Sequence, residues 1–375
     1  HHEDPAYNDV VLHVVYQQDK KEAVNLQNGK TVPTLVLGKY VKKSVDLPPH
    51  SEGFSLYCRN SCLDTRNFDS REFIGEILDR AGEQRFFNKA AVFREKLGKT
   101  KERQVLYEAV MESLGYEKNK SQMVELSRHM PLERLQKGIP EITPNSQNLA
   151  FLQALLLGGA GLLPSQRPDN RWQEIPYNTW VDRLEKLWSS SGVRSNMDVS
   201  DWHFFKVRPG NIPTRRIAAM SYLLLSCQQW RVTENLVKDF CHKARENGFH
   251  KLEQLIYIPA TGYWADYLDF GLPCSKNPPA LLGSRRAADI IINVLLPFAF
   301  IQAELTPHPE LVRQILEIYH HYPRLTTNRI ERQMCNQLGI NSYLVNSAKR
   351  QQGLIHIYRT LCSQGNCHDC PLRNR

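Results

Sequence analysis

The residues best suited to soft-metal chemistry lie at the carboxyl end of the chain. Cys362, Cys367 and Cys370 fall within nine positions, in the stretch LCSQGNCHDCPLRNR. Thiolates are the ligands that zinc and iron–sulfur clusters prefer. Three interpretations stay open: an iron–sulfur cluster, a zinc site whose fourth ligand is His368, Cys335 or another group, and three ordinary thiols. A metal bound here would stabilise the fold, because a closed thiolate site leaves no open position for a substrate.

The first residues of the chain are rich in side chains that bind hard metal ions. His2, Asp4, Asp9 and His13 lie close together in HHEDPAYNDVVLHVV, at the mouth of a predicted strand. Carboxylates and imidazoles in this position are able to hold a magnesium ion, which activates water for attack on a phosphodiester. The sequence therefore predicts these four as candidate catalytic residues. The alternative is a polar loop before a strand, with His13 hydrogen-bonded in the core.

Basic residues near predicted helix starts are the candidates for phosphate binding. Exposed guanidinium groups suit phosphate because they donate in pairs to its oxygens, and neighbouring aromatic rings are able to stack on bases. The expected phosphate-binding residues are Arg208, Arg215, Arg216, Arg285, Arg286, Lys349 and Arg350, with Trp202, His203, Phe204 and Phe205 as stacking partners. The alternative is that the basic residues pair with acidic residues across helix interfaces.

Composition fits a phosphate-bearing partner and excludes several classes of protein. The chain of 375 residues carries a net charge of +9 and has a pI near 9.0, so DNA or RNA is the expected partner. No apolar run reaches the roughly 18 residues that a membrane span needs. The nine cysteines, odd in number, indicate a reduced, cytoplasmic setting. Phosphate-loop, dinucleotide, serine-hydrolase and zinc-protease motifs are absent from the sequence.

The elements that must hold these residues change character along the chain. Residues 10–16, VVLHVVY, predict a strand buried on both faces. Asn28-Gly29 predicts a hairpin with a type I′ turn, in which both residues need positive φ. From about Phe68 onward, apolar residues recur at helical spacing. We therefore expect an α+β protein: a small β-rich N-terminal part, with a central strand plus a hairpin, followed by a large, mainly α-helical body.

Glycines and one linker-like stretch indicate where elements end. Gly82, Gly98 and Gly115 are each expected to end a helix. The linker-like stretch runs from Gly138 to Asn148. The expected division is a β-rich part over 1–66 that is the remnant of a nuclease-like domain, a helical segment over 67–140, and a helical domain over 141–375 that ends in the cysteine cluster.

Several blocks of the sequence together resemble an uncharacterised bacterial family catalogued as a domain of unknown function. They are HHEDPAYNDVVLHVV, LYEAVMESLGYEKNK, RPGNIPTRRIA, DIIINVLLPFAF and KRQQGLIHIYRTLC. The resemblance spans nearly the whole chain and implies no catalytic residues. It implies an acidic strand, similar to G-D-x-E-x-H, just upstream of the first residue. With that strand, the N-terminal cluster would be similar to the site of restriction-endonuclease-like phosphodiesterases, although no E-x-K triplet is found here.

The cysteine tail has a resemblance of its own, to the iron–sulfur loop of helix-hairpin-helix DNA glycosylases. That loop has the pattern C-x6-C-x2-C-x5-C, often with Pro-Leu after the third cysteine. Pro371 and Leu372 follow Cys370 here, but the first spacer has four residues. The fourth ligand of the pattern would fall one position beyond Arg375.

Three hypotheses follow from these observations. The first is a metal-dependent nuclease or other phosphodiesterase, with the cysteine tail as a structural metal site. The second is a nucleic-acid-binding module without catalysis, and the third is a scaffold for protein partners. The second hypothesis requires the predicted phosphate-binding residues to lie on one face.

Overall fold

The computed structural model describes residues 7–17, 24–40, 71–137, 146–167, 178–226, 248–274, 277–306 and 308–372. Contacts divide the chain into two units, His1–Leu56 and Tyr57–Arg375, and each is described by itself. Short strands dominate the described part of the first unit, whereas the second is mainly helical. The predicted α+β class is therefore confirmed.

The N-terminal unit contains two short strand pairs. Strands β1 (His13–Val15) and β4 (Thr34–Val36) are parallel, and β2 (Val24–Asn25) and β3 (Thr31–Val32) form an antiparallel hairpin.

The predicted hairpin is confirmed, but its turn differs from type I′. Gly29 has a φ of 79°, whereas Asn28 has no positive φ. The backbone N–H of Leu26 donates to the Lys30 carbonyl at 2.9 Å, which leaves a three-residue loop with glycine in the left-handed region.

The predicted burial of the first strand on both faces is wrong. Val11 is 73% exposed and Val14 is 47% exposed. Among the described residues, β1 pairs with β4 alone, and a two-stranded sheet leaves its outer faces open. Apolar β-branched sequence therefore predicted the strand here but not its burial.

Helices make up most of the described part of the second unit. In chain order they are α1 (Arg71–Leu97), α2 (Glu102–Leu114), α3 (Lys120–His129), α4 (Leu132–Lys137), α5 (Ser146–Gly159), α6 (Thr179–Ser190), α7 (Pro213–Ser226), α8 (Phe249–Ile256), α9 (Tyr263–Asp266), α10 (Ser284–Ile290), α11 (Leu296–Leu305), α12 (Pro309–His321), α13 (Arg329–Leu338) and α14 (Ala348–Thr360). A π-helical turn, Ile291–Leu295, joins α10 to α11. Strands β5 (Tyr267–Asp269) and β6 (Leu272–Pro273) form an antiparallel pair.

Helix α1 continues through Gly82, which was expected to end a helix. The reason is packing against α14: a Cβ on Gly82 would lie 2.3 Å from the Lys349 carbonyl oxygen, and a Cβ on Gly353 would lie 2.1 Å from that of Leu78. Glycine is required at both positions because the two backbones touch. The other two predictions are confirmed, since Gly98 follows α1 and Gly115 follows α2.

Two apolar clusters form the interior of the helical unit. The larger one includes Leu106 of α2 and Leu155 of α5, so the helices on either side of residues 138–145 share one core. The smaller cluster joins the first half of α1 to α13, α14 and the cysteine tail.

Two helical segments are long and apolar enough to cross a membrane by length and composition. They are Ser146–Gln166 and Ser284–Leu305, and their most apolar windows are 72% and 67% buried inside the protein. Core helices meet the same criterion when other helices cover them. The second segment includes the apolar run at Ala288–Phe300, most of which is buried.

Candidate phosphate-binding surface

The predicted magnesium site lies only partly in the described residues. His2 and Asp4 fall outside them. Asp9 is exposed, and His13 opens β1 with its Nδ1 3.3 Å from Thr34 Oγ1. Within the described ranges, no group of three or more His, Cys, Asp or Glu residues is arranged to hold a metal ion. Catalysis by these four residues therefore stays a prediction.

The three tail cysteines pack against the smaller apolar cluster. Cys362 is buried, Cys367 and Cys370 are partly buried, and Cys335 lies in the same cluster. Burial, followed by the charge of Glu331, raises the pKa of the Cys335 thiol. The four thiols are the right donor type for a soft metal, but the cysteines are not gathered into a ligand set in the part of the chain described. The iron–sulfur or zinc site stays a prediction.

Arg215 and Arg216, expected to be exposed, are buried in the first turn of α7. Arg215 Nη1 donates to the carbonyl oxygens of Trp264 at 2.9 Å and Tyr267 at 2.6 Å. Arg216 Nη2 donates to Asn211 Oδ1 at 2.7 Å. Their donors satisfy buried loop carbonyls, which explains why they point inward.

A third buried arginine completes what we call the interior arginine network, made of Arg167, Thr214, Arg215, Arg216 and Asp269. Arg167 Nη1 and Nη2 donate to the two Asp269 carboxylate oxygens at 3.2 and 3.1 Å. Thr214 Oγ1 donates to the same carboxylate at 2.8 Å. All five residues are buried, so the network stabilises the interior of the unit. No sequence pattern indicates this pairing, because 102 positions separate Arg167 from Asp269.

Lys349 and Arg350 pair with acidic residues across a helix interface, which was the alternative interpretation of the basic residues. Arg350 Nη2 lies 3.0 Å from Asp79 Oδ2, and Lys349 Nζ lies 3.4 Å from Glu83 Oε1. Both pairs join α14 to α1.

Of the remaining predicted phosphate-binding residues, Arg208 and Arg285 are exposed and Arg286 is partly buried. The seven predicted residues therefore do not share one face in the manner expected.

A different set of cations and rings gathers beyond the end of α2. We call it the α2-turn patch: Tyr116, Lys118, Phe205, Lys206 and Arg286. Lys118 Nζ donates to the Phe205 carbonyl at 2.6 Å, and Lys206 Nζ lies 5.3 Å from the Phe205 ring centroid. The Arg286 guanidinium stacks 3.9 Å from the Tyr116 ring centroid. Lys118, Phe205 and Lys206 are exposed.

Hydrogen bonds from the Asn119 side chain link the two loops of this patch. Asn119 Oδ1 accepts from the His203 backbone N–H at 2.8 Å, and Asn119 Nδ2 donates to the His203 carbonyl at 2.9 Å. Trp202 is buried and donates to the Ala160 carbonyl at 2.9 Å. Of the predicted stacking partners, His203 and Phe205 are exposed, Phe205 at 48%, whereas Phe204 is partly buried.

The same patch contains the backbone outliers of the described chain. Tyr116 and Lys206 are the non-glycine residues with positive φ, each at 54°. A side chain in this region costs about 1–2 kcal/mol, and such strain concentrates at functional sites.

A chain of polar contacts leads from the patch to α1. Arg286 Nη1 donates to Asp289 Oδ2 at 3.3 Å. Asn293, in the π-helical turn, donates from Nδ2 to the Asp289 carbonyl at 2.8 Å and accepts from Lys89 Nζ on Oδ1 at 2.6 Å. Burial raises the pKa of Asp289, which the charge of Arg286 partly offsets.

Lys89 belongs to a second group, the α1–α14 basic cluster: Arg85, Lys89, His356 and Arg359. Burial, followed by the charge of Arg359, lowers the pKa of Arg85 to about 10. Burial lowers the pKa of Lys89 well below its ordinary value, and the charges of Arg85 and Arg359 lower it further. The sequence signal that could have found this group is the pair of like charges at positions 85 and 89, which share one helix face.

A comparison with known families identifies the relatives of this chain. The family model described as a protein of unknown function (DUF2851) matches residues 1–327 of the 375. The chain belongs to this family. The match to DUF2851 includes α1 and the α2-turn patch, whereas α13, α14 and the cysteine tail follow the last matched residue. No curated protein and no solved structure matches this DUF2851 chain.

Proposed function

We propose that this DUF2851 protein binds nucleic acid, with the phosphate backbone lying along the α2-turn patch. The observation that carries the proposal is the pair of exposed lysines at Phe205, with Lys118 at its carbonyl and Lys206 at its ring, on loops that Asn119 links. Cations neutralise backbone phosphates and an exposed ring stacks on bases. Both kinds of contact are available on one surface.

Backbone strain supports the same surface. Tyr116 and Lys206 hold a conformation that favours glycine. A sequence free to avoid this cost would place glycine or asparagine at the two positions. Retaining a ring and a cation there is consistent with selection for what their side chains contact.

Two exposed arginines lie close in sequence to residues of the patch. Arg208 lies in the same loop as Lys206, and Arg285 precedes Arg286. With the net charge of +9, they favour a polyanion over an acidic peptide because phosphates repeat along a strand. DNA and RNA are both candidates.

The test is fluorescence anisotropy of labelled oligonucleotides at one fixed salt concentration. The double variant Lys118→Gln/Lys206→Gln removes two cations of the patch and is expected to weaken binding about tenfold. The matched control is Lys99→Gln/Lys101→Gln, which removes two exposed lysines that pair with Glu95 and Glu133. The proposal fails if the wild-type chain binds no oligonucleotide, or if both double variants weaken binding equally.

A second variant separates base stacking from charge. Phe205→Ala leaves the net charge unchanged and removes the exposed ring. Stacking contributes about 1–3 kcal/mol per base in single strands, so this variant is expected to weaken single-stranded binding while duplex binding changes little. If Phe205→Ala weakens the binding of single strands and duplexes equally, base stacking on Phe205 does not contribute to binding.

Cleavage of the bound strand is the enzymatic extension of this proposal. It rests on His2, Asp4, Asp9 and His13, which would hold magnesium near a phosphodiester. A magnesium-dependent cleavage assay on the full chain, with His13→Ala as the comparison, tests it. Binding without cleavage favours a non-catalytic module, and neither activity favours a scaffold for protein partners.

A further inference from the structure

The α1–α14 basic cluster sits where two helices approach most closely. Gly82 and Gly353 remove the side chains that would separate the backbones of α1 and α14. Arg85 lies about one turn beyond Gly82, and Lys89 one turn further along the same face. The cations are therefore positioned by rigid helices rather than by loops, which favours a fixed geometry.

Arg85 is oriented without being neutralised. Its Nε donates to Gln352 Oε1 at 2.7 Å, and the amide oxygen carries no formal charge. Among the residues described, Arg85 makes no other hydrogen bond and no ion pair. The two terminal nitrogens of its guanidinium therefore form a planar fork directed by the Gln352 contact, and such a fork matches two oxygens of a phosphate.

Lys89 is held in a similar way by a neutral residue. Its Nζ donates to Asn293 Oδ1 at 2.6 Å and to the Asn293 carbonyl at 3.3 Å. An ammonium has three protons, so one is left to donate elsewhere. The π-helical turn that contains Asn293 is a rare conformation that occurs often at functional sites.

The cations of the cluster repel one another. Arg85 and Arg359 each lower the pKa of Lys89, and so does Lys120. The charge of Glu112 raises the pKa of Lys89, and this effect is the smallest of the five contributions. Within the described ranges Arg359 has no ion pair and its side chain is exposed. An anion bound between these groups would relieve the repulsion.

Carboxylates are present at the same helix interface, with Glu83 two residues and Asp79 six residues before Arg85. Asp79 and Glu83 neutralise Arg350 and Lys349 there. Among the described residues, Arg85, Lys89 and Arg359 form no ion pair with these or other carboxylates. We propose that the α1–α14 basic cluster is a binding site for a dianionic phosphate group, either the terminal monoester of a nucleic-acid strand or free inorganic phosphate.

A monoester fits better than the diester of a strand interior. The cluster contains three cations, and a terminal phosphate carries close to two negative charges near neutral pH, whereas a diester carries one. The polar chain through Asn293, Asp289 and Arg286 connects the cluster to the α2-turn patch. The identification of the ligand as the end of a nucleic-acid strand rests on the proposed function, whereas the phosphate site itself does not.

The first experiment titrates inorganic phosphate into the full chain at constant ionic strength and follows the melting temperature. A ligand that binds the folded state raises it saturably. Arg359→Gln, an exposed substitution, is expected to weaken phosphate binding about tenfold. The matched control is Arg80→Gln, an exposed arginine of α1 that pairs with Glu76, and it should bind as the wild type does. No saturable effect in the wild type, or equal weakening in both variants, overturns the proposal.

The second experiment identifies the source of the phosphate. Oligonucleotides with a 5′-phosphate, a 3′-phosphate or hydroxyl ends are compared in wild type and Arg359→Gln. A preference for one phosphorylated end that Arg359→Gln removes supports the strand-end identity. Equal affinities for all ends, with phosphate still raising the melting temperature, support a site for free phosphate and overturn the strand end. If the wild type binds no oligonucleotide but still binds phosphate, the proposed function fails and the site stands.

Discussion

The Arg167–Asp269 pair of the interior arginine network and the α1–α14 basic cluster hold positive charge in opposite ways. In the network, the Arg167 fork meets both oxygens of the Asp269 carboxylate. In the cluster, Arg85 and Lys89 meet the amide oxygens of Gln352 and Asn293. A carboxylate both orients and neutralises a cation, whereas an amide only orients it.

This difference separates a structural role from a binding role. A fully buried cation needs a carboxylate or several carbonyl oxygens, as Arg167 and Arg215 have here, since leaving one without partners costs several kcal/mol. Partly exposed cations that are hydrogen-bonded only to neutral groups still attract an anionic ligand. The comparison makes the network responsible for stability and assigns the cluster to an anion.

The largest expected effect is on the network. Asp269→Ala leaves the buried Arg167 without its carboxylate and is expected to lower the free energy of unfolding by about 3–5 kcal/mol. Asp79→Ala breaks a partly exposed pair with Arg350 and is expected to cost about 1 kcal/mol. Urea unfolding of both variants measures the contrast. Equal losses would mean that the network has no special role in stability.

The next effect concerns the helix contact that positions the cluster. Gly353→Ala places a Cβ against the Leu78 carbonyl oxygen and should cost about 1–3 kcal/mol. Gly98→Ala is the control, because its nearest neighbour would be at 3.5 Å, an ordinary contact. Thermal unfolding compares them, and an unaffected Gly353→Ala protein would contradict the close approach of α1 and α14.

A smaller effect, with the opposite sign, is expected from Lys89→Met. The pKa of Lys89 is lowered in the folded state, so the folded protein binds its proton less tightly than the unfolded chain does. The resulting cost is fully present below the folded pKa and disappears as pH rises to the unfolded value, near 10.4. Lys89→Met should therefore raise the free energy of unfolding at pH 7 by up to about 1 kcal/mol, and this gain should shrink by pH 10.

The control for that measurement is Lys99→Met, an exposed lysine that pairs with Glu95. It should not stabilise the protein at either pH. A destabilised Lys89→Met variant would indicate that the Asn293 hydrogen bonds outweigh the burial of the charge, and would weaken the case for an uncompensated cluster.

The smallest expected effect is a change in the pKa of one histidine, His356. Burial, followed by the charge of Arg85, lowers the pKa of His356. Arg85→Gln removes that charge, so the pKa of His356 should rise in an NMR titration. His320 serves as the internal control, because burial and Lys349 are the main causes of its lowered pKa. A His356 pKa that does not change would place Arg85 too far away to share a ligand with it.

The fold was largely predictable from local patterns. Helical periodicity, the hairpin signal at Asn28-Gly29 and the helix ends at Gly98 and Gly115 all act over a few residues. Gly82 was misjudged because its role depends on Lys349, far along the chain. A glycine that ends a helix and one that permits a close approach have the same sequence signature.

The candidate site was less predictable for a similar reason. Arg215 and Arg216 look like an exposed basic pair in sequence, yet the loops around residues 264–267 and 279–281 supply the carbonyls that draw them inward. Lys118 looked ordinary, because only the fold brings it to the Phe205 carbonyl beside Lys206. Which cations are neutralised is a property of long-range contacts, which the sequence does not state.

The salt dependence of oligonucleotide affinity tests the central claim most directly. Each phosphate contact adds about 0.9 to the slope of log affinity against log salt for duplex DNA. The triple variant Lys118→Gln/Lys206→Gln/Arg359→Gln should therefore lose about two to three from the wild-type slope on a 5′- or 3′-phosphorylated duplex. The paired-cation control, Arg80→Gln/Lys99→Gln/Lys101→Gln, should keep it. Equal slopes in the two triple variants would contradict the claim that the cations without carboxylate partners are the ones that meet phosphate.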